Sequence, residues 1–127
     1  MLGSSVRGIR GAVNVDKNEK ELIIKETKNL LINIIKANKL ETEDICSIFF
    51  TMTPDLNAVF PAMAARELGW KHVPMLCAVE IDVKDSMPLC IRVLLHINTD
   101  LKQNEIKHVY LKEAQKLRND LLDVNNT

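Results

Sequence analysis

Two charged residues, Glu80 and Arg92, stand inside apolar runs, VPMLCAVEIDV and PLCIRVLLHIN, that read as buried strands. An unpaired carboxylate or guanidinium in such surroundings costs several kcal/mol at least. The two therefore either neutralise one another or face a polar cavity made for a charged ligand. Around them the sequence offers further arginines, a tyrosine and a thiol on strands and strand ends, but nothing that assembles a nucleophilic triad. It contains no G-x-S-x-G, no phosphate-cradling glycine loop and no dinucleotide fingerprint. Guanidinium groups fork onto carboxylates and stay charged at any physiological pH. Such a set suits binding and polarising a small polyanion without transferring protons.

The remaining chemistry-bearing residues narrow the field further. His72, His96 and His108 are scattered, with no i, i+4 pair and no H-E-x-x-H, so no metal and no cofactor is expected. Cys46, Cys77 and Cys90 are odd in number, lie in apolar segments and show no C-x-x-C spacing, which is reduced, intracellular usage. Seventeen basic residues balance seventeen acidic ones, leaving no general field for nucleic acid or an anionic membrane. Aromatics, at 4%, are too few for base-stacking platforms. The apolar runs fall short of the ~18 residues that span a bilayer, and MLGSS lacks the apolar block of a signal peptide. A soluble, cytoplasmic protein is expected. Its 127 residues, 46% apolar, make one domain able to bury a core without staples, with residues 1–5 and about 119–127 loose.

The elements that must carry these residues follow from periodicity. Val6 to Val15 alternates as a strand, with Val6, Gly8, Arg10 and Ala12 on one face, so Arg10 projects among small neighbours. That pattern suits a pocket wall, or simply the start of an edge strand. Asn18, with Glu21 three residues on, reads as a helix cap before the stripe Ile23, Thr27, Leu30, Leu31, Ile34 and Ile35, and Asn38 as its stop. Thr42 caps a turn, and ICSIFFTM reads as a second, fully buried strand. A short helix then begins near Pro61 and ends before Gly69. Val73 to Asn98 reads as a hairpin whose loop is DVKDSMP. In its second strand Leu89, Ile91, Val93, Leu95 and Ile97 share the core face, which turns Arg92 away from the core. Cys77 and Glu80 fall on opposite faces of the first strand, so one pocket can use both only through a bulge or if the strand ends between them. Ile106, Val109, Tyr110, Ala114 and Leu117 are at helical spacing from Asn104 to about Arg118. The order β-α-β-α-β-β-α predicts an α+β fold, a mixed β-sheet with helices packed on one face.

In sequence order RGIRGA, TPDLNAVFPAMAAREL, CAVEIDV, CIRVLLHINTD and HVYLKEAQKLR, over about residues 6 to 121, resemble the signatures of the monofunctional, trimeric barrel-type chorismate mutases. The resemblance implies a pseudo α/β barrel formed as a homotrimer, with clefts at subunit interfaces. It also implies rearrangement of chorismate, a dianion, to prephenate on the route to phenylalanine and tyrosine. By motif, Arg10 and Arg92 resemble the cationic pair at the centre, with Arg92 aimed at the ether oxygen whose bond breaks. Glu80 and Cys77 resemble the residues on the other side of the developing charge, with the backbone of Leu76, Ala78 and Val79 lining the ligand. Tyr110 resembles a carboxylate ligand. Phe60, Ala62, Arg66, Leu117 and Arg118 resemble a rim contributed partly by a neighbouring chain. Met63 departs from the pattern, where a lysine is expected. Two other functions fit the residues less fully. One is a trimeric imine deaminase, and the other a non-catalytic carboxylate-binding trimer in which Glu80 and Arg92 form a structural pair.

Overall fold

The computed structural model describes residues 5–117. Five strands make one mixed sheet: β1 (Ser5–Asn14), β2 (Ile45–Met52), β3 (Met75–Val79), β4 (Cys90–Thr99) and β5 (Val109–Leu111), in the spatial order β3-β2-β4-β1-β5. Helices α1 (Lys20–Asn38) and α2 (Ala62–Glu67) pack on one face of it. Period-2 alternation supplies that face: Ile9 and Val13 of β1, Ile48 and Phe50 of β2, and Ile91, Val93, Leu95 and Ile97 of β4. They meet Ile23, Leu30, Leu31 and Ile34 of α1 in one buried core. Gly11 lets α1 lie close there: a Cβ on it would stand 2.8 Å from the Ile34 Cδ1 and 3.1 Å from the Leu30 Cδ1, so those side-chain ends would have to shift.

Several expectations are corrected. β3 and β4 do not form a hairpin, because β2 lies between them, parallel to β3 and antiparallel to β4. The segment after Val79 therefore crosses the end of β2 instead of making a tight turn. β2 is not fully buried: its burial alternates, and Phe49 is 44% exposed on the face away from the helices. A register shift between Ile45 and Ser47 is what lets Ile45 and Ile48 share the core side despite their odd spacing. Asn18 is not the helix cap. Its side chain accepts the backbone N–H groups of Asn57 (3.0 Å) and Ala58 (3.1 Å), tying down the loop before α2. Asn104 to Leu111 is not helical. Gln103–Glu105 forms a 3-10 turn, Val109–Leu111 pairs in parallel with β1, and a further 3-10 turn follows at Lys112–Ala114. α2 begins after Pro61 and stops at Leu68, with Gly69 at φ 88 leaving the helix in the left-handed region. Among the described residues no helix is long and apolar enough to cross a membrane.

Candidate active site

The open face of the sheet, opposite the helices, carries the charged set in register. Ala78 of β3, Thr51 of β2, Arg92 of β4, Ala12 of β1 and Tyr110 of β5 are successive cross-strand partners. The next row holds Phe49, Leu94 and Arg10. Because Ala12 is small, the space between Arg92 and Tyr110 stays open. A cavity of about 460 Å³ forms there, lined by Arg10, Ala12, Thr51, Arg92, Tyr110 and Leu117 among others. Behind it Ala12, Cys90 and Ala114 make a second, small apolar cluster against which Tyr110, Leu117 and Met87 pack.

Glu80 lies one residue beyond the end of β3, and its N–H donates to the Met52 carbonyl at 2.9 Å. Its carboxylate turns toward the open face. There Oε2 accepts the Thr51 hydroxyl at 2.6 Å and stands 3.1 Å from the Arg92 Nε. The Arg92–Glu80 contact is an ion pair by distance, but the Nε–H is not aligned as a hydrogen bond to any partner among the described residues, although the atom is closed off from solvent. Two-fifths of the Arg92 side chain is still exposed (40%, against 14% for Glu80). With Nε against Glu80, the Arg92 side chain also lines the cavity. Two guanidinium groups facing one carboxylate leave this wall net positive, as an anion site needs. The Arg10 N–H donates to the His108 Nδ1 at 2.9 Å, holding the edge of β1 beside β5.

Cys77 is elsewhere. Its side chain packs against the main core on the helix side, and it lines a second cavity of about 510 Å³ with Phe60, Ala78, Val79 and the 56–60 loop. Burial pushes its thiol above the ordinary range, opposed by a backbone hydrogen bond at Ala62 and by the charge of Arg66. Arg66 is exposed on α2, Ala62 is buried at the start of that helix, and Leu76 is exposed on the open face of β3. The predicted residues thus fall into two groups in one chain: Arg10, Arg92, Glu80, Tyr110 and Leu117 on one side, and Phe60, Cys77, Val79, Ala62 and Arg66 on the other. Arg118 lies outside the described residues. A larger cavity of about 860 Å³, lined by Asn38, Asp44, Asp100 and Lys107, holds none of these residues. There Asn38 bonds the N–H and the carbonyl of Lys107 and so pins the end of α1. Among the described residues no cluster of three His, Cys, Asp or Glu side chains is placed to hold a metal.

Comparison with known proteins shows the family. The chorismate mutase type I family pattern matches residues 6–121. The chorismate mutase AroH of Bacillus subtilis is 46% identical over 123 residues, covering 96% of this chain and 97% of that protein. The AroH of Thermus thermophilus is 46% identical over 117 residues, covering 91% and 96%. The chain belongs to the type I chorismate mutases. As a chorismate mutase it is an isomerase. The fold agrees: a solved chorismate mutase from Clostridium thermocellum superposes with a TM-score of 0.85 at 49% identity, covering 86% of this chain and 97% of that one.

Thr51, which lines this chorismate mutase's cavity, and Cys90, which lies behind it, carry no site role in the sequence pattern. Thr51 reads as one more β-branched strand residue, and only the β2–β4 register sets it against Arg92 and Glu80. Cys90 shares the parity of Arg92, which was the available signal. The structure buries it behind the cavity, and burial pushes its thiol up to about 11 despite the opposing charge of Arg92.

Proposed function

We propose that this chorismate mutase acts as a cytoplasmic homotrimer whose sites are each assembled from two chains, and that it rearranges chorismate to prephenate by electrostatic stabilisation and conformer selection. The reaction is intramolecular: one C–O bond breaks as one C–C bond forms, and no group leaves. The ether oxygen gains electron density as its bond breaks. A fixed cation beside it stabilises the transition state more than the ground state, and no acid, base or covalent intermediate is needed. Arg92 fills that role, with Glu80 on its Nε side and the rest of the side chain lining the cavity. Arg10 and Tyr110, across the same cavity, bind the substrate carboxylates and hold the reactive conformer. Leu117 closes the cavity wall.

The observation that carries this reading is the cavity that joins Arg10, Arg92 and Tyr110, with Arg92 backed by a carboxylate. The separation of the Cys77 group supports a neighbouring chain as the source of the opposite wall. The two groups lie on opposite sides of one sheet, so a single molecule can meet both only between subunits. On that wall Phe60, Val79 and Cys77 pack the ring, while Arg66 supplies rim charge. The open face also carries exposed Phe49, Leu76 and Leu94, an apolar surface suited to covering by another copy. Mixing the protein with chorismate and following loss of its diene absorbance tests the activity, and light scattering tests the trimer. No turnover would refute the activity, and a monomeric mass with full activity would refute the shared site.

A further inference from the structure

Glu80 sits at a point where little else fixes it. β3 ends at Val79, and the segment that follows is exposed through Ile81, Asp82 and Val83. The backbone of Glu80 is tied by one bond, to the Met52 carbonyl, and that bond leaves the side-chain torsions free. Its contact with Arg92 lacks hydrogen-bond alignment. The Thr51 hydroxyl, at 2.6 Å from Oε2, is the aligned hydrogen bond that the carboxylate receives among the described residues. A hydroxyl donating to a carboxylate is charge-assisted and short, which makes it directional.

We propose that Thr51 is a positioning residue for the rearrangement. Its hydroxyl holds the Glu80 carboxylate against the Nε edge of Arg92, so that the guanidinium keeps its plane and presents its terminal nitrogens to the ether oxygen. The inference rests on the proposed role of Arg92. The geometry explains why a threonine serves here. Its β-branched carbon suits the strand, and its oxygen stands in the same cross-strand row as Arg92, between that residue and the end of β3. Preorganisation is the quantity at stake, since a cation displaced by about 1 Å loses on the order of 10²-fold in rate.

The test uses the full-length protein with Thr51→Ser, Thr51→Val and Thr51→Ala, each also combined with Glu80→Gln, and Arg92→Gln as reference. Thr51→Ser is expected to keep wild-type kcat, and Thr51→Val to lose roughly tenfold in kcat with KM changed less than about twofold, as for an interaction felt only in the transition state. In the Glu80→Gln background Thr51→Val should cost less than about twofold more, because the hydroxyl acts through that carboxylate. The proposal is overturned if Thr51→Val and Thr51→Ala keep kcat, if the loss appears in KM alone, or if it is undiminished in the Glu80→Gln background. Should Thr51→Val fail to fold, Thr51→Ala carries the same comparison with a smaller side chain. If Arg92→Gln itself leaves kcat intact, the role of Arg92 fails. If Arg92→Gln is inactive and the threonine variants are normal, only the role of Thr51 fails.

Discussion

Arg92 Nε and Glu80 Oε2 meet at 3.1 Å although their chain segments are not neighbours in the sheet: β2 runs between them, and Thr51 on β2 touches the same carboxylate oxygen. The ion pair therefore depends on three segments docking in register. Slippage of any of them would displace the cation, which makes the clamps that set register good places to perturb the enzyme indirectly.

One such clamp lies three residues before Arg92. Leu89 adopts φ 51, an unusual conformation for a residue with a Cβ, and its N–H donates to the Asp55 Oδ2 at 2.9 Å. The buried Thr53 hydroxyl donates to the Asp55 Oδ1 and accepts the Cys90 N–H at 3.0 Å. Asp55→Ala removes the acceptor that stabilises this turn. We expect a loss of about 0.5–1.5 kcal/mol in stability, the net worth of a hydrogen bond that water can replace, with a smaller fall in kcat than any Arg92 substitution gives. Urea unfolding and steady-state kinetics measure both.

How much of this was legible beforehand depended on which distance in sequence the information spanned. The parity of β4 needed only its own residues, because Ile91, Val93, Leu95 and Ile97 alternate without interruption, and it correctly turned Arg92 off the core. Strand pairing is not local. A stretch with two apolar runs and a seven-residue connection reads as a hairpin, yet β2, some 25 residues earlier in sequence, offered β3 a parallel partner and took the place between. The spacing of Ile106, Tyr110 and Leu117 suits a helix, and the three residues of β5 are too few to show a strand period of their own. Parity puts Cys77 and Glu80 on opposite faces of a regular strand, and in the fold they do face opposite sides of the sheet, although β3 ends between them at Val79.

The division of the site into two walls predicts complementation. Arg92→Gln disables the open-face wall, and Cys77→Asp sets a carboxylate on the other wall, against a dianionic substrate. Each variant should be inactive alone. Co-refolded in equal amounts, they should regain about a quarter of wild-type activity, since each shared site then draws either wall intact from half of the chains. Zero recovery from a mixture proven to contain hybrid oligomers would mean that both walls belong to one chain.

Turnover should be nearly flat from about pH 6 to 9 and indifferent to a chelator, because guanidinium groups do not titrate there and burial raises the Cys77 and Cys90 thiols above their ordinary range. A bell-shaped profile abolished by substituting a histidine would contradict this. Stability has its own signature at higher pH. The folded Cys90 thiol titrates at about 11 rather than at 9.0, so above the lower value the unfolded chain binds fewer protons than the folded one. Its contribution is fully present below the unfolded value and is lost as pH rises through the folded one. Melting temperatures of Cys90→Ala should therefore fall less than those of the wild type between these limits.

Replacing Arg92 by citrulline separates catalysis from structure, because it removes the charge and keeps the shape. Loss of a single neutral oxyanion donor costs on the order of 10² to 10³ in rate, and a full charge beside the breaking bond should cost at least that in kcat. KM should change less if, as proposed, Arg10 and Tyr110 hold the carboxylates. A purely structural ion pair predicts the reverse. Removing one partner of a sealed pair costs roughly 3–5 kcal/mol, and Arg92→Met with Glu80→Leu would then restore both fold and turnover. Because 40% of the Arg92 side chain is exposed, the stability loss should fall well short of that range. The double variant should fold and remain inactive. Near-normal kcat in a folded Arg92→Met, Glu80→Leu protein would remove Arg92 from the chemistry and leave the cavity with no cation opposite the ether oxygen.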